Sequence, residues 1–242
     1  MIFAGILFFV FYFLFLKPTA SCFDNIQNQD ELGVDCGGIC DLSCEQKNAQ
    51  PLEVSYVRKV KDGDNKVILL AEIKNPNFEF GASSFEYSFD ITDISGEKIK
   101  SISGQSFIYP GETKYLSEII DFDKNYFSQD ISLAQYIWKS KDEFKKPNIQ
   151  VRENKTEINS KDSIYPLVVS GVIKNIDIIS ASKVIISAFI YDNMGTMIGI
   201  SKTELENLNP TDEKNFTIVF PKDIDVSLIN QNATRIYVDS IK

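Results

Sequence analysis

All four cysteines of the chain fall in one stretch, SCFDNIQNQDELGVDCGGICDLSC, residues 21–44. Cys22, Cys36, Cys40 and Cys44 are interleaved with Asp24, Asn28, Asp30, Glu31 and Asp35. Thiols at this density either hold a metal or pair with one another. The spacing C-x13-C-x3-C-x3-C does not match the C-x2-C knuckles that suit tetrahedral zinc, and no C-x-x-C is present for thiol exchange. An even number of clustered cysteines in a segment too short for its own core reads as two disulfides in an oxidising compartment. Three connectivities are open, and the crossed one, Cys22–Cys40 with Cys36–Cys44, is the one taken forward. Gly37 and Gly38 supply the positive φ that a chain folding back between bridges requires. The oxygen donors pose a second question. Asp24, Asn28, Asp30, Glu31 and Asp35 are candidate calcium ligands, because hard oxygens gathered on one loop suit that ion. The order is not that of an EF-hand. The alternative is that they are solvated carboxylates and turn formers, since Asp and Asn favour turns.

The stretch follows an apolar run, Ile2 to Leu16, which reads IFAGILFFVFYFLFL and is closed by Lys17-Pro18. Its 15 residues approach the short end of a membrane-spanning helix, about 17 residues. An uncleaved anchor over residues 1–17 is the expectation, with Tyr12 and Lys17 at the interface. A cleaved signal peptide lacks its basic leading region. A lipidated Cys22 would leave three cysteines over. The anchor implies that everything after it is extracytoplasmic, on a single-pass chain.

Composition narrows the class. A net charge of −9 over 242 residues argues against a nucleic-acid partner, which needs a basic patch for phosphates. The absence of histidine removes the commonest general base and the commonest transition-metal ligand.

On these residues the cysteine segment resembles a module of exported and membrane-anchored bacterial proteins, C-x-D-G-x-x-N-x-x-E-x-x-x-D-C-G-G-x-C-x-x-C. Cys22, Asp24, Asn28, Glu31, Asp35, Cys36, Gly37, Gly38 and Cys40 fall on that pattern. Asn25 replaces its glycine, and the last pair is C-x3-C. The resemblance implies export and says nothing of an activity.

The remainder repeats itself at an offset of 100. Ala71-Glu72-Ile73-Lys74-Asn75 matches Gly171-Val172-Ile173-Lys174-Asn175, Ile108 to Glu112 matches Leu208 to Asp212, and Ala134 to Trp138 matches Thr234 to Val238. Three matches in one register indicate a duplicated unit. Runs rich in Val, Ile, Phe, Tyr and Thr, often alternating as in Phe85-x-Tyr87-x-Phe89-x-Ile91, predict six strands per copy. They lie near 52–60, 66–75, 84–93, 98–107, 113–120 and 133–139, then 149–153, 166–175, 183–192, 196–206, 214–220 and 234–241. Asp62-Gly63 and Ser95-Gly96 mark hairpins, and one helical turn is expected near Asp123 to Ser128. The fold class is all-β: two tandem immunoglobulin-like β-sandwiches over residues 49–142 and 143–242, after an anchor at 1–17 and a cysteine-rich acidic segment at 18–48. The charged stretch Lys139 to Pro147 is read as a linker that permits relative motion. The second copy resembles the FxLYD type of immunoglobulin-like domain through Gly171 to Asn175, Tyr191 to Gly195, Leu208 to Asp212 and Phe216 to Val219. That resemblance implies an extracytoplasmic module without catalytic residues.

No triad, P-loop or dinucleotide fingerprint is present. Glu204 and Glu206 on a strand read as a solvated face rather than a glycosidase pair. Tyr136 and Trp138 are either a binding platform or core aromatics. The sequence therefore reads as a non-enzymatic, membrane-anchored adhesion, scaffold or envelope-interaction protein, with a membrane contact through its N-terminal helix and a protein or envelope partner. The competing readings are an accessory subunit of a secretion or pilus-type assembly and a hydrolase acting on envelope polymers.

Overall fold

A computed structural model of the protein describes residues 21–61, 66–121, 126, 128–160, 163–221 and 224–242. The expected anchor, the Asp62-Gly63 hairpin and most of the helical turn near residue 123 lie outside them. The chain divides into two compact units, Met1–Ala49 and Gln50–Lys242. Among the described residues no helix is long and apolar enough to cross a membrane.

The described part of the first unit is a run of turns closed by one short helix, α1 (Cys44–Asn48). Ser43 caps it: its side chain accepts from the Gln46 amide, and the Gln46 side chain accepts from the Ser43 amide, a reciprocal pair that satisfies two orphan donors.

The second unit is all-β. Its first half holds β1 (Glu53–Lys61), β2 (Lys66–Lys74), β3 (Phe80–Thr92), β4 (Lys98–Ile108), β5 (Thr113–Asp121) and β6 (Ser128–Ser140). Its second half holds β7 (Ile149–Ile158), β8 (Leu167–Asn175), β9 (Ala181–Tyr191), β10 (Met197–Leu208), β11 (Glu213–Phe220) and β12 (Arg235–Ile241). They form four antiparallel three-stranded sheets, β1-β2-β5, β4-β3-β6, β7-β8-β11 and β10-β9-β12. Adding six to every strand of the first pair of sheets gives the second pair, so the two halves share one topology.

The repeat extends to individual hydrogen bonds. Asn75 Nδ2 donates to the Phe80 and Tyr109 carbonyls, and its Oδ1 accepts from the Asn77 amide. One hundred residues on, Asn175 Nδ2 donates to the Ile179 and Leu208 carbonyls, and its Oδ1 accepts from the Asp177 amide. Each asparagine thereby ties the end of its strand to two neighbouring segments. The hairpins repeat as well. Asp93 Oδ1 accepts from the Ser95 and Glu97 amides, and Asp192 Oδ1 from the Met194 and Thr196 amides, with Gly96 and Gly195 in the left-handed region.

Strand ends differ from the sequence reading where a strand bulges. β3 begins at Phe80 and β6 at Ser128, because their pairing slips between Ala82 and Glu86 and Gln135 takes a positive φ there. β7 continues past residue 153 through a register shift between Arg152 and Lys155. A bulge interrupts the alternation on which a pattern-based boundary depends.

β2 is buried on both faces. Leu69, Ala71 and Ile73 are wholly enclosed on one face, as are Phe85 and Phe89 of β3. Tyr87 of β3 donates to Glu118 of β5 at 2.6 Å, so these two sheets face each other as a sandwich. On the other face of β2, Ile68 and Leu70 join Val60 in one buried cluster with Phe189, Met197 and Ile200 of the second half. Burial of these six side chains in one cluster favours keeping the two halves together. The expected linker is itself pinned: Phe144 stacks on Tyr109 with ring centroids 4.4 Å apart, and Lys146 pairs with Glu112. The two halves are thus parts of one unit, rather than beads on a mobile tether. The second half has its own core, built on Val184, Ile186, Ala188 and Ile190 of β9 against Leu167, Val169 and Ile173 of β8 and Phe216, Ile218 and Phe220 of β11.

Candidate functional site

Two places gather chemistry-bearing side chains. The first is the cysteine segment. Its disulfides are Cys22–Cys40 and Cys36–Cys44, the crossed pairing, and no cysteine is free. Because each loop contains an end of the other, the segment is locked without a hydrophobic core. The carboxylates reinforce the lock. Asp35 Oδ1 accepts from the Asp24 and Asn25 amides at 2.9 and 3.0 Å, and Oδ2 also accepts from Asn25. Lys47 reaches the same carboxylate at 3.4 Å. Glu31 Oε2 accepts from the Asn28 and Asp35 amides at 3.2 and 3.1 Å. Asp24 Oδ1 accepts from the Ile26 amide, and Oδ2 from Asn28 Nδ2 and the Ser21 amide. The Asn28 bond is the chief reason the Asp24 carboxyl is held below the usual carboxylate range.

Of the five candidate calcium ligands, Asp24, Asn28, Glu31 and Asp35 are therefore linked in one hydrogen-bonded knot, with Glu31 and Asp35 buried. Asp30 stands on a left-handed turn, φ 70, and is exposed. Among the described residues, the group of His, Cys, Asp or Glu ligand atoms that comes within metal-binding range of one another is Cys22, Glu31 and Cys40. Its two sulfurs are joined to each other, and a disulfide sulfur has neither proton nor thiolate charge to offer. Glu31 Oε1 lies 3.2 Å from Cys40 Sγ as a contact only. The Asp24, Glu31 and Asp35 oxygens satisfy backbone donors that a coreless loop would leave unpaired, while Asn28 Oδ1 is buried without a hydrogen-bond partner among the described residues. Gly38 is required here for steric reasons as well as conformational ones: at φ +61, a Cβ would fall 1.9 Å from the Asp30 carbonyl oxygen.

The second place is the junction of the two β halves. Lys114 is buried and lies 2.9 Å from Asp239, with its ammonium 3.7 Å from the centre of the Phe107 ring. A cleft of about 310 Å³ opens beside it, lined by Glu112, Lys114, Lys146, Asp239 and Ser240 among others. Ser240 is buried and its hydroxyl has no hydrogen-bond partner among the described residues, while its carbonyl accepts from the Tyr109 hydroxyl at 2.9 Å. Alongside, Tyr115, Phe189 and Tyr237 form a three-ring contact with centroids 4.3–4.9 Å apart. Tyr115 donates to Glu72 at 2.9 Å. Burial, then the bonds to Tyr237 and Glu72, push the Tyr115 phenol above its ordinary range. Burial raises Tyr56 to about 12. Sequence reasoning did not single out this junction. The signal it offered is the unalternating run Val67-Ile68-Leu69-Leu70-Ala71, which marks a strand covered on both faces.

The remaining candidates fall into place individually. Trp138 is buried opposite Ala82, with Tyr136 stacked at 5.4 Å, so the tryptophan is a core aromatic. Glu204 is exposed and paired with Lys183, and Glu206 is exposed on the same strand.

No protein-family model and no curated protein matches the chain. Solved structures that it resembles include a Bacteroides uniformis beta-glucuronidase, with TM-score 0.26 and 12% identity over 65% of this chain and 22% of that one. Another is red sea bream transglutaminase, with TM-score 0.24 and 8% identity over 81% of this chain and 32% of that one. The chain spans about a fifth to a third of those proteins, and likeness at this level transfers neither fold family nor activity.

Proposed function

We propose that the chain is a membrane-anchored, extracytoplasmic binding or scaffold protein. Residues 1–17 anchor it, a disulfide-locked collar follows, and a rigid pair of immunoglobulin-like sandwiches, the second of FxLYD type, meets a protein or envelope partner. The observation that carries this reading is the collar itself. It is a segment whose structure rests on two crossed disulfides and follows an apolar run in the sequence. Disulfides of this kind persist outside the reducing cytosol.

The hydrogen-bonding of the carboxylates supports a structural reading of the collar over a catalytic one. Asp24, Glu31 and Asp35 are engaged as acceptors of backbone amides, and a general base needs an acceptor turned towards a substrate. The double burial of β2 supports a fixed spacing between the far ends of the two halves, which suits a spacer or scaffold.

The test is topology. The full chain is expressed in a bacterium, and intact cells are treated with a protease that does not cross the inner membrane, after the outer barrier is opened. Loss of a C-terminal epitope tag in intact spheroplasts, with the untreated chain recovered in the membrane fraction, is the expected result. Protection until the spheroplasts are lysed would overturn the proposal.

A further inference from the structure

The collar is built inside out. Its interior holds Glu31, Asp35 and the half-cystines Cys36 and Cys40, while Phe23, Leu32 and Ile39 are 87, 79 and 65% exposed. Ile26, Val34 and Leu42 are exposed as well. A segment of this size leaves little surface for six large apolar side chains unless something covers them.

Their placement indicates what does. Phe23 adjoins Cys22 and Ile39 adjoins Cys40, and these two cysteines are bonded with their Cα atoms 5.7 Å apart. Leu32 lies over Gly37, where a Cβ would meet its side chain at 2.8 Å, two residues before Ile39. Phe23 and Ile39 thus flank the two ends of one bridge, and Leu32 lies against Gly37 on the loop between them. Phe23 is only seven residue steps from Leu16, the end of the apolar run. A fully extended chain spans about 3.3–3.6 Å per residue, so Phe23 cannot lie more than about 25 Å from that end.

We infer that the collar inserts Phe23, Leu32 and Ile39 into the interfacial layer of the bilayer from which the chain emerges, so that the disulfides aim an apolar tip at lipid. This rests on the anchor reading above. The occupant is lipid because the tether holds the tip at that surface whatever else is present. The headgroups it suits are zwitterionic: Asp30 and Asp41 are exposed and Asp24 and Glu45 half-buried, and anionic lipid would repel them.

The experiment places a tryptophan reporter at the tip. Phe23→Trp and Ile39→Trp are made separately in the full chain, at exposed positions where the fold makes no demand. The native Trp138 is buried and gives a constant background. Ile178→Trp, at a position 90% exposed on the β unit, is the reference. Each is reconstituted into vesicles of phosphatidylcholine brominated near the top of its acyl chains, and flotation, emission maximum and quenching are read. Insertion predicts that the chain floats and that Trp at 23 and 39 emits to the blue. It also predicts quenching of at least about twofold, as fits burial some 5–10 Å into the headgroup boundary, while Trp at 178 is unaffected. Replacing a third of the lipid with phosphatidylserine weakens the quenching.

Flotation with Trp at 23 and 39 emitting like Trp at 178 overturns the inference and leaves the anchor standing. A blue shift without bromine quenching assigns the tip to a protein contact or a second copy and also overturns it. Equal quenching at 178 means general adsorption and does the same. Failure to float overturns the anchor reading and this inference with it.

Discussion

Lys114 of β5 and Asp239 of β12 meet at 2.9 Å across the junction of the two β halves, with the lysine side chain 4% exposed and the aspartate 23%. The asymmetry sets the outcome of breaking the pair. Asp239→Asn leaves a buried ammonium without its counter-charge and is expected to cost about 3 kcal/mol. Lys114→Met leaves a carboxylate that water can reach, keeps the contact with Phe107, and costs about 1 kcal/mol or less. Urea midpoints of the two variants check the order. Equal losses would mean that the lysine is hydrated in solution.

The repeated asparagines predict losses of similar size in both halves, the larger at Asn75. Asn75→Ala and Asn175→Ala each leave two carbonyls and one amide without their partner, a loss of about 2–4 kcal/mol, and Asn75→Ala also removes the acceptor of the Asn77 side-chain amide. In the neighbouring turns Gly111 and Thr211 occupy equivalent positions, and both take a positive φ, 64° and 69°. A β-branched residue is strained there, so Thr211→Gly is expected to stabilise by about 1 kcal/mol. Thermal unfolding of the three variants measures both effects.

The buried tyrosines make stability fall in alkali. Tyr56 is raised to about 12 and Tyr115 is raised further in direction, so the folded state holds them protonated where an unfolded tyrosine, near 10, ionises. Their contribution is complete below the unfolded value and is lost as pH rises through the folded one. Unfolding free energy measured against pH is expected to decline above about 10, and Tyr115→Phe should flatten that decline.

Reduction should separate the units. Loops of 18 and 8 residues are closed by the two disulfides, each worth about 2–3 kcal/mol. With reductant, limited proteolysis is expected to cut residues 21–49 while residues 50–242 resist. Asp35→Ala, which orphans the Asp24 and Asn25 amides, should sensitise the collar to less reductant.

Much of this was legible beforehand. The duplicated register was visible in Ile73-Lys74-Asn75 and Ile173-Lys174-Asn175, because strand periodicity and a buried asparagine leave a pattern in one chain. The cysteine pairing was one of three arithmetical options. The junction was not legible: strand alternation turns Phe189 to the face opposite Ala188 and Ile190, but nothing local says that the other half covers that face. The collar's inversion was hidden for a similar reason. Hydropathy sends Phe23 inward and Glu31 outward, whereas in a segment too small for a core the unpaired amides compete for the interior and draw the carboxylates in.

The central claim is an oxidised, extracytoplasmic collar. The most direct test is a peptide map of the full chain isolated from membranes with thiols trapped at lysis. The account predicts no alkylated cysteine, an intact mass four hydrogens below the reduced chain, and linked peptides joining Cys22 to Cys40 and Cys36 to Cys44. Four alkylated cysteines at the reduced mass would contradict it.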